Sequence, residues 1–159
     1  MSRDRPAPGD DYIDSRDVIR AIKELTDERD DLQEAVAAKQ EEHEQSFTLP
    51  ELAREEIGEE LADAEGALEE WNRDNGEELA ALESLQEQAE GYSEDWRYGA
   101  QLIRDDKFIE YAQQLAEDIG AIARDQQWPL NCIDWEEAAK ELKMDYTSVE
   151  FGNYEYWLR

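Results

Sequence analysis

Apolar residues recur along the first half of the chain in alternating steps of three and four. Val18, Ile22, Leu25, Leu32 and Val36 keep this phase, and Arg29 fills the one seam position without an apolar side chain. Such a narrow stripe belongs to a helix that pairs with another helix. Asp14 or Ser15 is placed to cap it, with Asp17 in its first turn. The stripe fades into Lys39-Gln-Glu-Glu-His-Glu-Gln45, and Ser46-Phe-Thr-Leu-Pro50 breaks it. Thr48 then reads as an N-cap, with Pro50 inside the first turn and Glu51 at the capping-box position. A second stripe follows through Leu52, Ile57, Leu61, Ala64, Leu68 and Trp71. Asn75-Gly76 interrupts it, as a break between two helices or a weak point in one. Leu79, Leu82 and Leu85 resume it as far as Gly91. The two stripes predict an antiparallel helical hairpin, paired within the chain or across a dimer.

From Trp96 the pattern changes. Residues 97–103, RYGAQLI, read as a strand. Residues 105–122 read as a helix with Phe108, Tyr111, Leu115 and Ile119 on one face and Gly120 as its C-terminal stop. DWEEAAKELK is a short helix with Asp134 as N-cap. The closing YTSVEFGNYEYWLR alternates on both sides of Gly152-Asn153, as two strands of a hairpin do. The order β-α-α-β-β predicts a small domain with a three-stranded antiparallel sheet. The expected class is α+β, mostly helical: a flexible lead-in over 1–14, an acidic helical hairpin over 15–95 and an α+β domain over 96–159.

Charge changes this picture more than composition does. The 159 residues carry 44 acids against 16 bases, a formal net charge of −28. Residues 1–97 hold 31 acids and 10 bases, whereas residues 98–159 hold 13 and 6. Most of the aromatic residues lie from Trp96 onward, so the chain is not a disordered acidic tail. A charge of this size predicts repulsion from nucleic acid and from anionic membranes, and attraction to strongly basic surfaces. Solvated helix faces commonly pair Glu with Lys four residues apart, and like charges at that spacing cost a few tenths of a kcal/mol each. Between Glu51 and Asp95 there are 17 acids and only Arg54 and Arg73 to balance them.

The candidate chemistry is correspondingly sparse. There is no Gly-rich phosphate loop, and the single histidine, His43, sits in a polar stretch that reads as a helix surface. No carboxylates follow the spacing of a calcium loop, and none pair across a recognisable substrate platform. The residues therefore predict no enzyme activity, no catalytic residue, no metal site and no cofactor. Cys132 is the only cysteine, so no intrachain disulfide forms; between Leu130 and Ile133 it reads as a small buried hydrophobe. The N-terminal residues lack the apolar run of a signal peptide, and no stretch approaches the roughly 20 apolar residues of a membrane span. The expectation is a cytoplasmic protein that binds neither membrane nor nucleic acid directly.

What remains is the acidic surface itself. Residues 15–90 hold 25 acids and 7 bases, a net of −18. A second helix of about 42 residues is roughly 63 Å long at 1.5 Å per residue. The hairpin then carries one net charge per roughly 3.5 Å, close to the roughly 3.4 Å between phosphates on one DNA strand. Carboxylates at this density stand in for phosphates. The partner-binding candidates are Glu51, Glu55, Glu56, Glu59, Glu60, Asp63, Glu65, Glu69, Glu70, Asp74, Glu77, Glu78, Glu83 and Glu87, with the acids of residues 17–44 as a second row.

Trp128-Pro-Leu-Asn-Cys-Ile-Asp-Trp135, Ala138-Ala139, Asp145-Tyr146 and the ending Tyr156-Trp-Leu-Arg159 resemble the C-terminal domain of ArdA-type antirestriction proteins. The likeness covers roughly residues 97–159. It implies an acidic DNA mimic of a mobile element or phage: a homodimer in the bacterial host's cytoplasm that occupies the DNA-binding groove of a type I restriction–modification complex. It assigns structural roles to Trp128, Asn131, Asp134, Trp135 and Tyr146, and no catalytic role to any residue. The first half departs from the family's mixed first domain and small helical middle domain. Another restriction system or a CRISPR effector therefore stays open as the target. So does a different class of function, a coiled-coil adaptor or oligomerisation protein whose acidity serves solubility.

Overall fold

A computed structural model describes residues 5–159. The fold is α+β and mostly helical. The order is β1 (Tyr12–Asp14), α1 (Ser15–Glu44), α2 (Glu51–Glu90), β2 (Gln101–Arg104), α3 (Phe108–Asp118), α4 (Trp135–Leu142), β3 (Thr147–Phe151) and β4 (Tyr154–Leu158). Contacts divide the chain into two compact units, one of Arg20–Leu82 and one of Met1–Ile19 with Glu83–Arg159. Both divisions fall inside helices, away from the sequence-based boundary at residues 95/96.

In the Arg20–Leu82 unit, burial follows the three-four stripe. Ala21 and Leu25 are buried, and Ile22, Arg29, Leu32 and Val36 are half-buried. On α2 the same spacing runs through Ile57, Leu61, Ala64 and Leu68, which are half-buried, to buried Trp71 and Leu82. Leu52 is not part of the seam, being 80% exposed. The phase running back from Ile57 falls on Ala53 and Arg54 instead. The helix begins at Glu51, with the Arg54 amide donating to the Pro50 carbonyl at 3.1 Å. Thr48 is therefore not its cap but part of a 3₁₀ turn, Ser46–Thr48. Helix α2 runs unbroken through Asn75-Gly76. Asn75 stays in register because its side-chain amide donates to the Trp71 carbonyl at 3.3 Å.

The other unit is built on a four-stranded antiparallel sheet in the order β1-β2-β4-β3. The three-stranded expectation missed β1. Its three residues are too few to show alternation, and its partner β2 lies about ninety positions away, with Ile13 opposite Leu102. The lead-in reading is overturned from Pro6 onward, since Pro6 is buried; residues 1–4 of that segment lie outside the described residues. The Tyr156 hydroxyl donates to the Asp10 carbonyl at 2.6 Å and accepts from the Gly9 amide at 3.1 Å. Arg104 adds bonds to the Gly9 carbonyl and Asp11.

One face of the sheet carries Ile103 and Trp157, which pack with Phe108, Tyr111 and Ala112 of α3, Ala139 and Leu142 of α4, and Tyr146. The Phe108 ring meets Tyr146 edge-on at 5.2 Å between centroids. The opposite face presents buried Ile13, Leu102, Val149, Phe151, Tyr156 and Leu158. Ser15 is not a helix cap. Its hydroxyl donates to the Trp96 carbonyl and accepts from the Ala100 amide, both at 2.7 Å. Asp14 takes the capping role, accepting from the Arg16 amide at 2.8 Å. Asp134 caps α4 through the Glu137 amide at 3.2 Å. Gly120 and Gly152 sit at φ +76° and +62°, at the end of α3 and in the β3–β4 turn.

Candidate acidic interaction surface

The seam of α2 fixes where every other side chain of that helix points. With Ile57, Leu61, Ala64, Leu68 and Trp71 turned inward, the positions farthest from the seam carry Glu55, Glu56, Glu59, Asp63, Glu69, Glu70 and Glu77, all exposed. Glu56, Asp63, Glu70 and Glu77 follow one another at seven-residue steps, roughly 10.5 Å apart along the axis. Glu55 and Glu69 run beside them. Glu51, Glu60, Glu65 and Asp74 flank this row and are exposed as well. Glu78 departs from the set, because it falls in the seam phase and is half-buried. Glu83 and Glu87 are exposed but belong to the sheet-containing unit, and are not gathered with the rest by this unit's seam.

The two helices of the Arg20–Leu82 unit are not equally balanced. On α1, Lys23 holds Asp27 at 2.7 Å, Arg29 lies 3.9 Å from Asp30, and Lys39 holds Glu42 at 3.3 Å. Glu28 accepts from the Trp71 indole at 2.9 Å. On α2, Glu60 is bridged to Lys39 at 2.8 Å. Among the described residues, the seven outward acids of α2 form no ion pair. The seam sets their exposure, and the scarcity of bases on α2, Arg54 and Arg73 alone over residues 51–82, goes with their lack of partners. Lys23 and Lys39 have their ammonium pKa raised, in each case chiefly by the carboxylate hydrogen bond, from Asp27 and Glu60 respectively.

Sequence reasoning missed an apolar group at the turn between these helices. Phe47, Leu49 and Leu52 are 76%, 43% and 80% exposed. Their signal was present, as apolar residues in a segment with no periodicity. Ser46 is buried beneath the turn, its hydroxyl donating to the His43 carbonyl at 2.6 Å. His43 is exposed, as expected of a helix surface.

The segment resembling ArdA-type proteins is only partly interior. Tyr146 is half-buried, with its hydroxyl 2.8 Å from that of Tyr111, and desolvation in this aromatic cluster raises its pKa. Trp135 is half-buried, whereas Asn131 and Trp128 are exposed. Cys132 is not a buried hydrophobe but exposed, because the α3–α4 connection carries Leu130 outward too. Ile119 is likewise exposed, lying one residue beyond the end of α3.

Among the described residues, no three His, Cys, Asp or Glu side chains are grouped to hold a metal ion. No helix among them is long and apolar enough to cross a membrane. No protein-family model matches the chain, and no curated protein or solved structure matches it.

Proposed function

We propose that this chain is a non-enzymatic DNA mimic that inhibits a DNA-binding defence enzyme by occupying its basic groove. In this reading α1 and α2 pair as an antiparallel hairpin within residues 20–82. The bridges Glu28–Trp71 and Lys39–Glu60 support it, since the partners ascend one helix while descending the other. The observation that carries the reading is the asymmetry between the helices. Over residues 51–82, α2 has 12 acids and two bases, and its outward acids lack ion-pair partners. An exposed helix face gains stability from mixed charges, and α2 forgoes that gain. A row of bare carboxylates instead offers a basic groove the charge that phosphates offer.

The target is a type I restriction–modification complex, in keeping with the ArdA-like ending, and the inhibitor acts as a cytoplasmic homodimer. Association is fast and salt-sensitive because opposite fields steer it. The salt slope is shallower than that of DNA, whose condensed counterions a folded acidic protein only partly reproduces.

Competition tests this directly. The protein at near-stoichiometric amounts displaces duplex DNA from a type I restriction complex. Replacing Glu55, Glu59, Glu69 and Glu70 with Lys lowers potency at least 100-fold with unchanged helicity. No displacement by the wild-type protein sinks the reading. The exposed Phe47, Leu49 and Leu52 favour a second reading, an adaptor that docks through its apolar turn. Under that reading the four Lys replacements leave partner capture intact and Phe47→Ser abolishes it.

A further inference from the structure

The face of the sheet that receives α3 and α4 is not covered to its end. Ile103 stands opposite Trp157 on that face, and both pack against the helices. Side chains alternate along a strand, so Gln101 and Arg159, each two residues away along its strand, fall on the same face. Both are exposed, and they line a hollow of about 380 Å³. Half-buried Tyr111 and Tyr146 also line it, their hydroxyls 2.8 Å apart. Tyr92, Glu94 and Asp95 complete it from the connection between α2 and β2. Buried residues hold that connection in place. The Ser93 hydroxyl donates to the Arg159 carbonyl at 3.0 Å, and the carbonyl of buried Trp96 accepts from Ser15 at 2.7 Å. Glu94 and Asp95 therefore stand between two anchored residues. Among the described residues, neither forms an ion pair.

This lining selects a cation. Two carboxylates against Arg159 leave one negative charge, which a monocation balances. The Arg159 guanidinium is already engaged by the Tyr146 hydroxyl. An anion would meet, besides, the field of a unit with 23 acids and 10 bases. The phenol rings offer their faces to a positive charge. A planar guanidinium suits them better than an ammonium, because it stacks on a ring while donating in parallel to a carboxylate. It also keeps a donor for the Gln101 side-chain carbonyl. A second hollow, of about 460 Å³, shares Gln101 and Tyr111 and adds Tyr12 and Leu115, which give an apolar stem a wall to follow. We propose that this hollow is a binding site for an alkylguanidinium, with Glu94 and Asp95 holding its charge and the tyrosine rings facing its plane. The site lies wholly within the sheet-containing unit and stands apart from the DNA-mimic reading.

Nα-acetyl-arginine amide carries a guanidinium and no other charge. Titrated into the isotope-labelled full chain, it is expected to shift the amide resonances of Gly99, Ala100 and Gln101 saturably. The citrulline analogue has the same shape without the charge and should leave them unmoved; the lysine analogue should bind more weakly. Glu94→Gln with Asp95→Asn should weaken binding about tenfold. Glu136→Gln with Glu141→Gln removes the same charge from the exposed surface of α4 and should leave binding nearly unchanged. Tyr92→Ala removes a ring that is 66% exposed, so the core stays intact while binding weakens several-fold. Acetyl-Gly-Gly-Arg-Gly-Gly-amide and free arginine separate the two sources of the group. Tighter binding of the peptide assigns the site to a protein side chain, and tighter binding of arginine assigns it to a small guanidino compound. Shifts that do not saturate overturn the proposal. So does a citrulline or lysine analogue that matches the arginine one, an equal loss in the two paired variants, or undiminished binding by Tyr92→Ala.

Discussion

The Arg20–Leu82 unit and the sheet-containing unit bury their apolar residues in different ways, and the difference separates what charge does from what packing does. The first has a seam one or two side chains wide, half-buried over much of its length, and 21 acids against 6 bases. The second has apolar side chains on both faces of a sheet, with Phe108, Phe151 and Tyr156 fully buried, and 23 acids against 10 bases. The smaller unit therefore carries the larger net charge on the thinner core. Its fold tolerates the repulsion because helices close their backbone hydrogen bonds locally, so a narrow seam is the burial they add. A sheet depends on distant partners and a filled interior.

The largest expected effect lies in the thick core. Phe108→Ala should destabilise the sheet-containing unit by about 3–5 kcal/mol, read as a lower urea midpoint for near-ultraviolet circular dichroism. Leu61→Ala, at a half-buried seam position, should cost less, about 1–2 kcal/mol, with a far-ultraviolet readout. Equal costs would mean that the seam is as tightly packed as the sheet, and would erase the contrast.

Salt sharpens the comparison next. Raising sodium chloride from about 0.05 to 0.5 M shortens the screening length several-fold. The helical unit should melt at higher temperature, by a few degrees, while the sheet-containing unit moves less. A Phe108→Ala background separates the two transitions in calorimetry. A uniform shift of both would assign the repulsion to the whole molecule.

Removing the single indole bond comes third. Trp71→Phe keeps an aromatic ring in the seam and loses the bond to Glu28, at an expected cost of about 1 kcal/mol. Glu28→Gln, which keeps an acceptor, should cost less in the same denaturation series.

The smallest effect is on acid stability. Lys143, donating at 2.7 Å, holds the Asp105 carboxyl below its ordinary value, and the Trp157 indole adds a bond at 2.9 Å. A depressed native value means the unfolded chain takes up the proton first as pH falls. The contribution is full above about pH 3.9, the ordinary Asp value, and fades as pH drops through the native value. Lys143→Met should therefore lower stability near neutral pH and flatten the acid limb. The same loss at pH 2 and pH 7 would show that Lys143 acts only by packing on the Phe108 and Trp157 rings, which lie 5.4 and 5.0 Å from its ammonium.

Periodic and local features were legible in the chain alone. The three-four stripe located both long helices and most of their buried side chains, and thereby the outward position of Glu56, Asp63, Glu70 and Glu77. Asp134 announced the start of α4, and Gly152-Asn153 the turn between β3 and β4. Each of these depends on a handful of neighbouring residues. The sequence by itself also determined the charge imbalance of α2, because no fold supplies bases that are not encoded.

Tertiary structure decided the rest. Strand β1 exists because β2 offers it a ladder, and three residues of sequence carry no period to show that. Ser15 fastens two distant backbone groups instead of capping a helix, since both partners arrive from beyond residue 95. Cys132 lies at the surface although Leu130 and Ile133 suggested an interior, and Trp128 is exposed with it, because the turns between α3 and α4 leave that segment outside the packed face. Gln88 looks like any polar helix residue until the edge of β3 is set beside it and its amide pairs with the Glu150 backbone. In each case the deciding contact joins residues far apart in the chain, and local propensity holds no record of such a meeting.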